Sequence, residues 1–312
     1  MKHLECALGE GNQFWKYIIV LFVSFFGASI IGSIPLVVVI FAKMMGSGGS
    51  PDANIDMYNL EAYGISSNLG LFLMLLPLVL GLFVIVFFVK VMHKRSYQEI
   101  INGTYKIRWK RIGAGAAFWT VLSAILLVIQ YLINPSNFTF QLDLSSFIPL
   151  IFISLIFIPM QTSFEEIAFR GYFAQGVGAL TKNRWWVLII PSVVFGLLHI
   201  ANPEVKEYGI LIMLPQYILM GAIFGIISIL DDGIELALGV HAANNVFLSL
   251  FVTHSSSALQ TAAVFNVKEV DPVGGLIEIT VTGILLIAFF YKKYGWSFST
   301  LNKKIQKPDN TY

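Results

Sequence analysis

Charged residues are scarce in this chain of 312 residues. Lys, Arg, Asp and Glu together make up 12% of it, whereas hydrophobic residues make up 56%. A soluble domain carries about 25% charged residues. The chain therefore lacks the polar side chains that would cover a soluble protein of this size, and its composition indicates that much of its surface faces lipid.

Cysteine, a strong net charge and several familiar catalytic motifs are also lacking. Cys6 is the only cysteine, which excludes a disulfide within the chain. The formal net charge of +2 does not indicate a nucleic-acid partner. The patterns H-E-x-x-H, G-x-S-x-G and paired C-x-x-C are absent, as is a glycine-rich phosphate loop. Any catalysis must therefore use other residues.

Long hydrophobic runs, in contrast, are abundant. The first, residues 17–42, has 26 residues without a charge, longer than the apolar region of about 7–15 residues in a signal peptide. A membrane-crossing helix needs roughly 20 mostly apolar residues. The sequence predicts an all-α membrane protein, a polytopic bundle of about eight transmembrane helices. The candidate spans are 17–43, 69–91, 112–133, 147–176, 185–200, 210–230, 234–252 and 274–291.

Lys and Arg residues are distributed unevenly between the loops. They occur in the loop 90–111, at Lys182 and Arg184, and in the tail after the last span, whereas residues 46–68 and 134–146 contain none. Because cytoplasmic loops carry the excess of basic residues, we expect both termini to be cytoplasmic in a multi-pass protein of a bacterial plasma membrane. The cluster in 90–111 could also bind anionic membrane lipid.

Three charged residues lie close together at the end of one apolar run, in 162-TSFEEIAFRGYF-173. Such residues must face the bundle interior, and they mark candidate functional sites. Glu166 and Arg170 are one helical turn apart and can form an ion pair. Glu165 is rotated by about 100° from Glu166, so we expect Glu165 to find its partners on other helices.

Two histidines lie within apolar spans. His199 follows Phe195 by one turn, and His241 precedes Asn245 by one turn, so each pair shares a helix face. At about 1.5 Å per residue, the depths of these residues allow Glu165, His199, His241 and Asn245 to meet inside one bundle.

A glutamate, two histidines and an asparagine can form a hydrolytic site. A buried carboxylate can act as a general base for water, and imidazole and amide N–H groups can stabilise an oxyanion. Alternatively, Glu165, His199 and His241 can bind a divalent metal such as Zn²⁺. The residue pattern does not choose between the two. A serine mechanism would need Ser192 or Ser249 beside a histidine, and neither lies in a nucleophile motif.

Three motifs in this region resemble a known family. The stretch 165-EEIAFR-170 has the pattern E-E-x-x-x-R, 195-FGLLH-199 has F-x-x-x-H, and 241-HAANN-245 has H-x-x-x-N. Their order on three helices resembles the CPBP family of intramembrane proteases, which includes type II CAAX prenyl endopeptidases and bacterial abortive-infection (Abi) and bacteriocin-processing proteins.

The resemblance implies a membrane-embedded endopeptidase whose site faces the cytoplasm. It implies that Glu165 activates the attacking water with help from His199, that His241 and Asn245 stabilise the oxyanion, and that Glu166 and Arg170 support the site. A metal-bound and a metal-independent glutamate mechanism both remain open. The expected division is N-terminal helices in 1–140, a protease core in 141–295 and a basic cytoplasmic tail in 296–312.

The expected partners are a peptide or membrane-associated protein substrate and membrane lipid, with no nucleic acid. CAAX-type processing and bacteriocin maturation or self-immunity are the substrate classes that the resemblance suggests. One alternative is a non-catalytic bacteriocin-immunity or scaffold protein that retains the motifs. A proton-coupled transporter is the other, although the chain shows no internal repeat of the kind common in transporters.

Overall fold

The computed structural model describes residues 2–46 and 60–307 as a bundle of helices. Short 3₁₀ segments at Glu5–Leu8, Leu60–Tyr63, Pro135–Asn137 and Phe298–Asn302 accompany it. The helices, in chain order, are α1 (Phe14–Gly46), α2 (Ser67–His93), α3 (Tyr97–Asn102), α4 (Trp109–Ile133), α5 (Leu144–Thr181), α6 (Arg184–Leu198), α7 (Pro203–Tyr208), α8 (Ile210–Leu230), α9 (Glu235–Phe251) and α10 (Pro272–Tyr294).

Six of these helices are long and apolar enough to cross a membrane, within the two described segments. They are α1, α2, α4, α5, α8 and α10. The prediction of an all-α multi-pass membrane protein is confirmed, whereas by length and composition six helices qualify as spans rather than about eight. The helices α6 and α9 have 15 and 17 residues, which rise only about 22 and 26 Å. Both pack against other helices of the bundle, α6 against α8 and α9 against α4 and α5.

A small sheet lies where α4, α5 and α9 end or begin. Its strands are β1 (Phe138–Phe140), β2 (Val252–Thr253) and β3 (Phe265–Val267), in the order β1-β3-β2. The β1–β3 pair is antiparallel and the β2–β3 pair is parallel. The sheet ties the loop after α9 to the loop between α4 and α5.

The other end of the bundle gathers the basic loops and both terminal segments. Arg108 forms an ion pair with Asp231 at 3.3 Å, and Arg184 pairs with Glu5 and donates to the carbonyl of Lys303. Burial raises the pKa of Asp231 to about 6, although the positive charges of Arg108 and Arg111 beside it oppose the rise. The loop 90–111, the start of α6 and the tail therefore share one end. Residues 47–59, part of the Lys- and Arg-free loop, and 308–312 of the predicted tail lie outside the described residues.

Close packing between α4 and α9 brings the N-terminal helices onto the predicted core. A Cβ atom on Gly115 of α4 would lie 2.6 Å from the carbonyl oxygen of Leu236, and one on Gly239 of α9 would lie 2.0 Å from that of Ile112. Small residues let helices in membranes approach in this way. The contact sets the level at which α4 side chains meet α9. The boundaries at residues 140 and 295, between the N-terminal helices, the core and the tail, remain a prediction.

Replacing Gly115 by alanine is expected to destabilise the protein. The added methyl group would collide with the backbone of Leu236, and overpacking of this kind costs roughly 1–3 kcal/mol. Gly113→Ala is the matched control, because a Cβ atom there meets nothing within 4 Å. The thermal unfolding midpoint of the purified protein should fall for Gly115→Ala only. Equal midpoints for the two variants would contradict the packing of α4 on α9.

Candidate active site

The backbone widens immediately after the two glutamates. The α-helical part of α5 ends at Glu166, and Ile167–Phe173 form a π-helical segment whose seven residues are all buried. Segments of π-helix occur frequently at functional sites. This segment carries Arg170 and places a local irregularity beside the candidate site.

Glu166 and Arg170 form the ion pair that their spacing indicates. Arg170 Nη1 donates to Glu166 Oε1 at 3.0 Å, and the two residues are 3% and 0% exposed. The guanidinium group also lies over the ring of Phe195, 4.2 Å from its centroid. The pair is enclosed, so each charge depends on the other for compensation.

His241 lies between both glutamates. Its Nδ1 atom is 2.8 Å from Glu166 Oε1, and its Nε2 atom is 3.6 Å from Glu165 Oε2. The ring stacks on Phe224 with centroids 4.9 Å apart. The sequence interpretation assigned Glu166 to Arg170 alone. The structure corrects this, because the same carboxylate oxygen also contacts His241.

Glu165 has a partner on its own helix, contrary to expectation. Gln161 Nε2 donates to Glu165 Oε1 at 2.6 Å, and Gln161 Oε1 accepts from Asn245 Nδ2 at 3.3 Å. Gln161 is 5% exposed. Sequence reasoning missed this residue, although a polar side chain one turn before Glu165 in an apolar run was a usable signal. Through Gln161, the structure links Glu165 to Asn245.

His199 occupies a separate position at the C-terminal end of α6. Its Nδ1 atom bonds to the carbonyl of Phe195 at 2.7 Å, and its ring stacks on Tyr217 with centroids 4.5 Å apart. Because a carbonyl only accepts, the proton lies on Nδ1. The Phe195 ring is 4.6 Å from the His199 ring and 6.2 Å from the His241 ring. Among the described residues, His199 makes no hydrogen bond to Glu165, His241 or Asn245.

The predicted metal donors do not fit a metal ion in this arrangement. No group of three or more His, Cys, Asp and Glu side chains comes close enough to share one in residues 2–46 and 60–307. Both ring nitrogens of His241 already face carboxylates, and His199 lies beyond Phe195. The chemistry derived for this site therefore rests on the carboxylates, imidazoles and amides.

The two serines named as possible nucleophiles have other partners. Ser192 donates to the carbonyl of Leu188 at 2.6 Å, and Ser249 contacts Ser154 at 2.8 Å. Within the part of the chain that the structure describes, neither is paired with a histidine, so no Ser–His dyad forms at these positions.

The fold and the site together describe a multi-pass membrane protein with a buried Glu–His–amide cluster. Residues 144–247 match the family described as "Type II CAAX prenyl endopeptidase Rce1-like". The match confirms the resemblance for this segment, which contains all six predicted site residues. The family is one of proteases.

One curated relative covers part of the chain. The "Uncharacterized protein YyaK" of Bacillus subtilis (strain 168) is 36% identical over 165 residues, which are 53% of this chain and 55% of that protein. The chain thus spans about half the length of that relative, whose description names no activity. No solved structure matches the chain.

Proposed function

We propose that the chain is an intramembrane endopeptidase that hydrolyses a peptide bond with a water activated by Glu165. The observation that supports this most is the position of His241, which is held by Glu166 at 2.8 Å with its second nitrogen 3.6 Å from Glu165. The cluster combines a carboxylate base with N–H donors, and these are the groups that acyl transfer to water requires.

In the proposed reaction, Glu165 acts as the general base. Its Oε1 atom is occupied by Gln161, so Oε2 is the oxygen left to take a proton from water. As the water oxygen attacks the peptide carbonyl carbon, the carbonyl electron pair moves onto oxygen. In this proposal His199 accepts a hydrogen bond from the same water through Nε2, because its Nδ1 proton is committed to Phe195. This role requires the His199 ring to turn towards Glu165, with which it makes no hydrogen bond among the described residues.

The oxyanion is stabilised by His241 and Asn245. Nδ1 of His241 is held by Glu166 at 2.8 Å, so Nε2 is the ring nitrogen that faces the substrate and donates to the oxyanion in this proposal. When the tetrahedral intermediate collapses, Glu165 gives its proton to the leaving nitrogen as the C–N bond breaks, and the carboxylate is restored.

The proposed substrate is a peptide or a membrane-associated protein that enters through a cavity open to the cytoplasmic side. His241 follows the start of α9 by six residues, about 9 Å of helix rise, and this supports access from the basic end of the bundle. CAAX-type processing and bacteriocin maturation or self-immunity are the two substrate classes that the family resemblance favours.

Comparison of membrane peptides tests the function directly. New peptide termini would be identified by mass spectrometry in membranes that contain the wild-type chain, a Glu165→Gln variant or no chain. Termini that appear with the wild-type chain only would support hydrolysis and identify the substrate. Identical termini with the wild-type chain and the variant would favour a non-catalytic immunity or scaffold role instead.

The orientation is proposed to place both termini in the cytoplasm. In a Cys6→Ser background, Lys94→Cys at the basic end and Ser136→Cys near the sheet each introduce one exposed thiol. A membrane-impermeant maleimide should label Ser136→Cys in intact cells, and Lys94→Cys only after permeabilisation. The reverse pattern would overturn the orientation without bearing on catalysis.

A further inference from the structure

A directed chain of side-chain hydrogen bonds reaches Glu165 from a helix outside the family match. Trp119 Nε1 on α4 donates to Asn244 Oδ1 at 3.0 Å, and Asn244 Nδ2 donates to Asn245 Oδ1 at 2.9 Å. Asn245 then donates to Gln161, and Gln161 donates to Glu165, at 3.3 and 2.6 Å. The chain joins three helices in four bonds.

The two ends of this chain fix its direction. An indole N–H can only donate, and an ionised carboxylate can only accept. Each of the three amides between them must therefore accept on the Trp119 side and donate on the Glu165 side. Trp119, Gln161 and Glu165 are buried, whereas the two asparagines are half-buried. The orientation of each amide, usually ambiguous, is determined here by the neighbours.

We propose that Trp119, Asn244 and Gln161 are positioning residues that orient the base and the oxyanion donor of the proposed peptidase. Gln161 occupies Oε1 of Glu165 and leaves Oε2 turned towards His241. The same hydrogen-bond chain holds the side-chain oxygen of Asn245 against Asn244. The amide N–H group of Asn245 therefore points towards the site. This inference rests on the proposed function for its chemistry, whereas the hydrogen-bond chain itself does not.

The proposal gives the N-terminal helices a part in the site. Trp119 precedes the family match at residues 144–247, and the close contacts at Gly115 and Gly239 bring α4 to the level of Asn244. Hydrogen bonds in such a chain polarise one another in a poorly solvated interior. A change at one end should therefore be detectable at the other.

The indole N–H signal of Trp119 provides a test that needs no substrate. In the full chain, labelled with ¹⁵N-tryptophan in lipid nanodiscs, the Trp119 signal is assigned by its loss in Trp119→Phe. Gln161→Leu, three bonds away, should move that signal towards the position of a weaker hydrogen bond and leave the exposed Trp109 signal in place. An unmoved Trp119 signal in the Gln161→Leu variant would overturn the hydrogen-bond chain.

Hydrolysis of the peptide identified by the comparison of membrane peptides provides the second readout. Trp119→Phe keeps an aromatic ring but removes the N–H group, and we expect kcat to fall by between tenfold and about 10²-fold with KM unchanged, because the base and donor are misplaced. Trp109→Phe, on an exposed ring, is the matched control. An equal kcat for the two variants would overturn the positioning role. If the Trp119 signal shifts but the protein hydrolyses no peptide, the proposed function is refuted and the hydrogen-bond chain is retained.

Discussion

Glu165→Gln is expected to lower the hydrolysis rate by about 10²–10⁴-fold, the usual contribution of a general base. Glutamine has the shape of glutamate and can still accept from Gln161 through its oxygen. It cannot take a proton from water, and its amide nitrogen would face His241 in place of Oε2. The rate of the chemical step, measured in a single turnover with purified protein, should therefore fall while the unfolding midpoint stays close to that of the wild type.

The same substitution at an exposed glutamate distinguishes the loss of the catalytic base from the loss of one negative charge. Glu269 lies beside the sheet, and among the described residues it forms hydrogen bonds through its backbone atoms only, to Asn137. Glu269→Gln changes the net charge by the same amount and should leave the rate unchanged. A Glu165→Gln variant as active as Glu269→Gln would remove Glu165 from the role of base, and with it the proposed mechanism.

Local helix geometry was sufficient to predict part of the site. One-turn spacing on a single helix indicated the Glu166–Arg170 ion pair, and the three motifs pointed to the segment that matches a protease family. These inferences depend only on residues three to five positions apart or on recognised patterns. The regular helical phase also held at Glu165 and Glu166, because the π-helical segment begins only after them.

The remaining contacts depend on how separate helices pack. The position of His241 between two glutamates requires α5 and α9 to meet at one depth, and the link from Trp119 to Asn244 requires the close approach of α4 at Gly115 and Gly239. The candidate spans 185–200 and 234–252 were already shorter than the roughly 20 residues that a crossing helix needs, and the helices α6 and α9 have a similar length of 15 and 17 residues. The position of His199 beyond Phe195 likewise depends on the turn that ends α6.

Glu166→Gln is expected to destabilise the protein by about 3–5 kcal/mol, because it leaves Arg170 as an uncompensated buried charge. Glu166 is fully buried, and its Oε1 atom contacts both Arg170 and His241. Burial leaves little solvent to screen the lost charge. The unfolding midpoint in detergent should fall well below that of Glu269→Gln, and hydrolysis should fall with it.

A double variant distinguishes the stabilising role of Glu166 from its role at His241. Glu166→Met combined with Arg170→Met removes both charges and keeps apolar volume, and such replacements of buried ion pairs are often neutral or stabilising. The unfolding midpoint should therefore return towards the wild-type value. Hydrolysis should not return, because Nδ1 of His241 has lost its acceptor and the ring can no longer be held towards Glu165. A double variant that is both stable and active would show that Glu166 acts through Arg170 alone, and it would leave the orientation of His241 to its stacking on Phe224.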